Sequence, residues 1–264
     1  MNRYKLLLCL WVFFCFSCST MKIGEHYLPP VVVAHRGGVS LAPENSLLAI
    51  ERAMALGVDA VEVDVRLSAD GVPVVIHDAT VNRTTNGKGR VCNFTHFQLA
   101  SLNLLDSAGC VTELNVPTLA DVLYFVNGRC CVLVDVKEDS REIARAVTEV
   151  ICSCGAQEWV AVQSFSDSVL MHFKELGVCF PLEKLFLFKF PLLPYIFDGS
   201  VRRFSMKKYS HISSFNIKYE FLTEGLVDKI HEAGKCVKAW TLGDGVSFFT
   251  LPVDGVITDF PQLW

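Results

Sequence analysis

Residues 61–78 read VEVDVRLSADGVPVVIHD. Glu62 and Asp64 stand two positions apart inside an apolar, β-branched run, and a second such run ends on His77 and Asp78. Charged groups are costly in strand interiors unless something compensates them. Between the runs lies Ser68-Ala69-Asp70-Gly71, which reads as a hairpin turn. A parallel neighbour would need a connection of about a dozen residues or more. The stretch 64–78 is therefore an antiparallel excursion. A turn centred on 69–71 pairs 67 with 73, 65 with 75 and 63 with 77, so His77 returns to the level of the acids. Side chains two apart on a strand share a face, so both acids point the same way. On this stretch alone, a half-exposed strand with a polar face accounts for the same pattern.

Working outward, β-branched runs alternate with amphipathic stretches. Strands are expected at 31–35, 59–65, 130–136, 159–165, 182–188, 211–217, 236–242 and 253–259, and helices at 44–57, 141–152, 166–177 and 222–234. Alternating strand and helix implies a parallel sheet, and eight such strands are the number of a (β/α)8 barrel. The fold expected is a TIM barrel with a small hairpin insertion after the second strand. Residues 29–264 form one barrel domain in this reading.

The chain has 264 residues, is 51% hydrophobic and carries a formal charge of -4. That is enough for a large core and too neutral for a nucleic-acid binder. No protein partner follows from it. At the N-terminus, Arg3 and Lys5 precede LLLCLWVFFCF and then Ser17, Cys18 and Ser19. The run is shorter than the roughly 17–25 residues of a membrane span, so residues 1–18 read as a signal segment. FCFSCS resembles a bacterial lipoprotein signal with Cys18 as the lipidated residue, although Cys15 stands where an aliphatic residue is usual. An extracytoplasmic location with an N-terminal membrane anchor is expected, with a plain cleaved signal or an uncleaved anchor as the alternatives to lipidation. Of eleven cysteines, eight lie beyond this segment. An even number permits disulfides; for Cys130, Cys131, Cys152 and Cys154 a buried structural role is expected.

At the end of the first strand stands AHRGGVSLAPENS (34–46), with His35 and Arg36 before two glycines. This motif, together with residues 57–91, LVDVK (133–137), AWT (239–241) and DGVITDFP (254–261), resembles in order the motifs of the glycerophosphodiester phosphodiesterases. The resemblance runs from about residue 31 to 261, is highly specific over 34–91 and is weak between roughly 180 and 215. It implies a (β/α)8 barrel that hydrolyses glycerophosphodiesters to glycerol phosphate and an alcohol with one divalent cation, Ca2+ or Mg2+. His35 and His77 match the family's acid/base pair. Glu62, Asp64 and Asp135 match its metal carboxylates, and Arg36 and Lys137 its phosphate-contacting cations. The third acid of the family is usually Glu; Asp135 is one methylene shorter, so either it still reaches the metal or water fills the gap.

These residue types suit the chemistry. A phosphodiester anion resists attack until its charge is neutralised, carboxylate oxygens suit hard cations, and imidazoles titrate near neutrality. Spacing does not say which histidine is the base. Glu44 and Asn45 either cap the first helix or support the site. Trp240 either walls the pocket or belongs to the core. The remaining histidines have no acid at a suggestive spacing.

The apolar stretch 179–197, followed by Arg202, Arg203, Lys207 and Lys208, reads as a helical layer on the barrel or as a lip for lipid tails and headgroups. The second reading makes lysophospholipids substrates, cleaved in the manner of a lysophospholipase D, and a membrane surface a partner. A non-catalytic barrel that binds a lipid headgroup is the remaining alternative.

Overall fold

Alternation along the strands decides what faces where. In the computed structural model, which describes residues 30–186, 206–244 and 250–264, strand β2 (Ala60–Leu67) sends Val61, Val63 and Val65 outward into the main hydrophobic core. Ala60 packs instead in a separate interior cluster with Val33, Cys131, Leu133, Ala161 and Ile257. Glu62 and Asp64 share the inward face of Ala60, because side chains alternate with period two. The signal segment 1–18 and residues 187–197 of the apolar stretch lie outside the described residues.

Eight strands close the ring: β1 (Val31–Ala34), β2, β6 (Cys131–Val136), β7 (Val160–Ser164), β8 (Leu182–Phe186), β9 (Ser214–Lys218), β10 (Cys236–Leu242) and β11 (Gly255–Thr258). Each pairs in parallel with its neighbours, and β1 joins both β2 and β11. Helices α1 (Leu47–Leu56), α3 (Leu119–Val126), α4 (Arg141–Ser153), α5 (Asp167–Glu175) and α6 (Glu224–Glu232) connect successive strands. Their apolar faces, such as Ile143, Ala144, Val147 and Ile151 of α4, meet the outward-facing valines. The helices begin where the sequence supplies a cap: Ser46, Thr118, Ser140, Ser166 and Thr223 each accept a backbone N–H of the first turn.

The expected hairpin is present in the expected register. Strand β3 (Pro73–Val75) runs antiparallel to β2, with Val65 opposite Val75 and Leu67 opposite Pro73. The insertion is larger than the sequence pattern suggests. After β3 it continues through a short helix α2 (His96–Ala100) and a two-stranded sheet of β4 (Asn103–Leu105) and β5 (Val111–Asn115) before α3 begins. It has its own core of Val74, Ile76, Val81, Val91, Leu99, Leu104 and Val116. The strands and helix are too short for periodicity to reveal. Two cysteine expectations need correction as well. Cys130 and Cys131 are buried, but Cys152 is exposed and Cys154 half-buried, because α4 turns its C-terminal end to solvent.

The far side of the barrel interior is polar. Asn216 donates to Gln163 Oε1 (2.7 Å) and Glu183 Oε2 (2.8 Å), and Lys238 Nζ donates to Glu183 Oε1 (2.6 Å). All four side chains are buried. No helix among the described residues is long and apolar enough to cross a membrane.

The sharpest backbone constraint lies just after β1. Arg36, Gly37 and Gly38 have φ of 50°, 77° and 111°, a left-handed run that favours glycine. A Cβ on Gly37 would stand 2.9 Å from Ile50 Cγ1. Gly37→Ala is expected to lower the unfolding free energy in urea by more than ~1 kcal/mol.

Candidate active site

Strand register brings the acids together. Asp64 of β2 lies directly opposite Asp135 of β6, and Glu62 stands one pleat below Asp64 on the same face. The three carboxylates are 1%, 0% and 3% exposed for Glu62, Asp64 and Asp135, and each offers an oxygen within 4.8 Å of the others. The shorter Asp135 therefore still reaches the group. Lys137, the first residue past β6 and two along from Asp135, places Nζ 2.5 Å from Asp135 Oδ2 and 2.8 Å from Asp64 Oδ1.

The turn after β1 supplies the remaining partners. Its left-handed backbone aims the Arg36 N–H at Glu62 Oε2 (2.7 Å) and brings the Arg36 guanidinium Nε to 3.7 Å from Asp64 Oδ2. Asn45, also at positive φ, exchanges two hydrogen bonds with Asp64: its Nδ2 donates to Oδ2 (2.8 Å) and its Oδ1 accepts the Asp64 N–H (3.1 Å). Ser46, rather than Glu44 or Asn45, caps α1. Both Glu44 carboxylate oxygens instead accept from Arg36 Nη1, each at 3.0 Å.

Each motif histidine is held by a carboxylate at Nδ1. His35, immediately after β1, lies 2.5 Å from Asp259 Oδ1, immediately after β11, and its Nε2 is 4.0 Å from Glu62. His77 lies 2.7 Å from Asp78 Oδ1. Its backbone carbonyl accepts from Arg66 Nε (2.8 Å). Asp78 in turn accepts Arg83 Nε (2.8 Å) and Nη2 (3.0 Å). The residues thus gather where strands of this architecture end, at the face that carries active sites in such barrels. Trp240 is half-buried; its Nε1 donates to the Asn216 carbonyl (2.9 Å) and its ring meets Phe165 edge-on at 5.6 Å.

Asp78, Arg83, Arg66 and Asp259 carry this arrangement, and sequence reasoning assigns none of them. Asp78 and Asp259 are visible as acids at strand ends; nothing local marks Arg83 or Arg66. His96 pairs with Asp70 (2.6 Å) and His231 with Asp254 (2.8 Å), partners 26 and 23 positions away along the chain, which local spacing does not show.

The electrostatics fit a cation. Burial, then the charge of Asp64, pushes the Glu62 carboxyl up, and burial together with Asp64 likewise raises Asp135. For Asp64 burial also acts upward, but Lys137, His77 and His35 outweigh it and hold the group below the usual carboxylate range. Asp135 Oδ1 is buried with no hydrogen-bond partner. Three buried oxygens facing one point, two of their carboxyls driven toward the neutral form, are a donor set that a hard divalent cation satisfies.

The chain matches the model of the glycerophosphoryl diester phosphodiesterase family over residues 35–263. It is 33% identical over 243 residues to a glycerophosphodiester phosphodiesterase of Caldanaerobacter subterraneus, covering 88% of this chain and 95% of that one. The Bacillus altitudinis glycerophosphodiester phosphodiesterase is 31% identical over the same shares. Among solved structures, an Oleispira antarctica phosphodiesterase in complex with the product sn-glycerol-3-phosphate superimposes with a TM-score of 0.74 at 26% identity, over 89% of this chain and 94% of that one.

The two imidazoles are shifted in opposite directions. Burial lowers both, but for His35 the Asp259 hydrogen bond and the Glu62 charge prevail and its pKa rises above 6.5. For His77 burial, with Lys137 and Arg36, prevails over Asp64 and Asp78, and its pKa falls below 6.5. In metal-free protein, NMR titration is expected to show His77 losing its proton before His35 as the pH rises. His35 therefore stabilises the fold below its unfolded pKa, and that contribution is lost as the pH rises through the folded value. Asp259→Asn is expected to bring the His35 midpoint down and leave that of His77 in place.

Proposed function

The chain belongs to the glycerophosphoryl diester phosphodiesterase family and is a phosphoric diester hydrolase, and from that premise we propose that it cleaves glycerophosphodiesters by acid–base catalysis between His77 and His35, with one divalent cation in the site. The observation that carries the reading is the pair of His–Asp dyads flanking a buried acidic triad. Glu62, Asp64 and Asp135 would hold the cation, Ca2+ or Mg2+, which when bound neutralises charge on the phosphodiester.

The chain's own groups divide the rest of the work. Arg36 and Lys137 lie beside the triad and supply positive charge to a phosphate there. Asp259 and Asp78 each accept from Nδ1–H, which leaves Nε2 of both rings to the substrate. His77, whose pKa is lowered, is the ring suited to accept a proton from the attacking oxygen. His35, whose pKa is raised, is the ring suited to donate one to the departing alkoxide. The P–O bond to the alcohol breaks as the bond to the attacking oxygen forms, and one proton enters as another leaves.

Two intact dyads argue against a non-catalytic headgroup binder. Cleavage of lysophospholipids is a second reading of the same site, favoured by the apolar stretch 179–197 in the sequence. The same sequence supports export, with residues 1–18 as signal and Cys18 as the point of a lipid anchor.

Protein lacking residues 1–18 is expected to hydrolyse glycerophosphocholine, to lose activity with EDTA and to regain it with Ca2+ or Mg2+. His35→Ala and His77→Ala are each expected to lower kcat by ~10²–10⁴-fold. Faster turnover of lysophosphatidylcholine than of glycerophosphocholine in parallel assays would establish the lipid substrate. Full activity of both alanine variants would sink the acid–base assignment.

A further inference from the structure

Arg83 lies in the insertion, outside the barrel, with 47% of its side chain exposed. It makes two forks. Nε and Nη2 donate to Asp78 at 2.8 and 3.0 Å, and Nη1 and Nη2 donate to Glu44 at 2.8 and 2.9 Å. Asp78 is the carboxylate that holds the His77 ring, and Glu44 is the carboxylate whose two oxygens accept from Arg36. A single side chain therefore joins the two groups through which an imidazole and a phosphate-binding cation are oriented. The path His77–Asp78–Arg83–Glu44–Arg36 returns to the triad at Asp64.

An exposed ion pair is ordinarily worth little, but bidentate geometry and membership of a network are the conditions under which it counts. Both hold here. The charges run the same way: burial pushes the Glu44 carboxyl up, but Arg83 and then Arg36 outweigh it and hold it low, and Asp78 is held low chiefly through Arg83. The guanidinium is a rigid plane with donors on two edges, so it fixes the separation of its two partners.

We propose that Arg83 is a positioning residue of the active site, a two-sided clamp that sets His77 through Asp78 and Arg36 through Glu44. It touches neither substrate nor cation. Its action through Asp78 appears in kcat, and its action through Glu44 appears in substrate binding. The inference rests on the roles of His77 and Arg36 proposed above. It also accounts for the insertion, whose separate core carries Arg83 to the rim at a fixed place, between residues that the barrel strands alone do not connect.

The test compares Arg83→Ala, Arg83→Gln and Arg83→Lys in the Ca2+- or Mg2+-loaded protein with glycerophosphocholine, alongside thermal melting. In Arg83→Ala, kcat is expected to fall on the order of 10²-fold, the effect of misplacing a reacting group, and KM to rise, while the melting transition moves little. Lysine keeps the charge but has no fork, so Arg83→Lys is expected to stay within a few-fold of Arg83→Gln. On an Asp78→Ala background Arg83→Ala no longer lowers kcat, and on a Glu44→Ala background it no longer raises KM. A readout free of activity is the His77 tautomer in metal-free, 15N-histidine-labelled protein: the Nδ1–H form dominates in the wild type and gives way to a mixture in Arg83→Ala. Wild-type kcat in Arg83→Lys, or a His77 tautomer unchanged in Arg83→Ala, overturns the clamp. If His77→Ala is itself fully active, the catalytic reading fails rather than the clamp, which the tautomer then decides alone.

Discussion

Asp64 and Asp135 face each other across neighbouring strands, about 4.8 Å apart by ladder geometry, with Glu62 one pleat away and almost no water-exposed surface on any of the three. Like charges at that separation in a medium of low dielectric repel strongly. Most of the surrounding structure is a response to this repulsion. Lys137 bridges the two aspartates, Asn45 gives Asp64 an amide donor, and the Arg36 N–H closes on Glu62. Two of these partners stand at left-handed backbone positions, Arg36 at φ 50° and Asn45 at φ 59°. Non-glycine residues hold such angles at a cost that persists where the surroundings over-determine them. The strain in the turn after β1 is explained by the acids it serves.

Around this centre lies a second ring of carboxylates that do not belong to the triad. Asp259, Asp78 and Glu44 each hold a basic side chain: His35, His77 and Arg36. The inner acids are buried and short of positive charge. The outer acids are partly exposed and well supplied with it. That division separates the two imidazoles in pKa although both sit beside an aspartate. The difference arises from what else each ring sees: Glu62 for His35, Lys137 and Arg36 for His77.

The barrel was legible because its strands carry a strong signal. Runs such as CCVLVDV and WVAVQSF are apolar on both faces, as strands sealed between core and helices must be, and the turn at 68–71 fixed the direction of β3. The acids were legible because period two leaves Glu62 and Asp64 nowhere to go but inward. Arg83 and Asp259 were not, since their contacts span separations such as the 224 residues between His35 and Asp259 and the 39 between Glu44 and Arg83; Asp78 stands next to His77 in the chain, but adjacency alone assigns it no role. The small sheet of β4 and β5 escaped for a different reason. Its strands of three and five residues, NLL and VTELN, hold too few apolar positions for any period to emerge.

The opposite half of the barrel interior sharpens what makes the triad a site. Glu183 is as deeply buried as Glu62, and a buried lysine, Lys238, lies within reach of it. Yet Glu183 spends one oxygen on Lys238 and the other on Asn216, whose amide also serves Gln163. Charge and hydrogen-bonding capacity are balanced there, as a buried polar network requires. On the β2–β6 side three carboxylates share Lys137, Arg36 stands 3.7 Å from Asp64, and Asp135 Oδ1 has no donor. Depth of burial is common to both halves. The unbalanced charge of one of them is what sets the triad apart, and a hard cation would balance it.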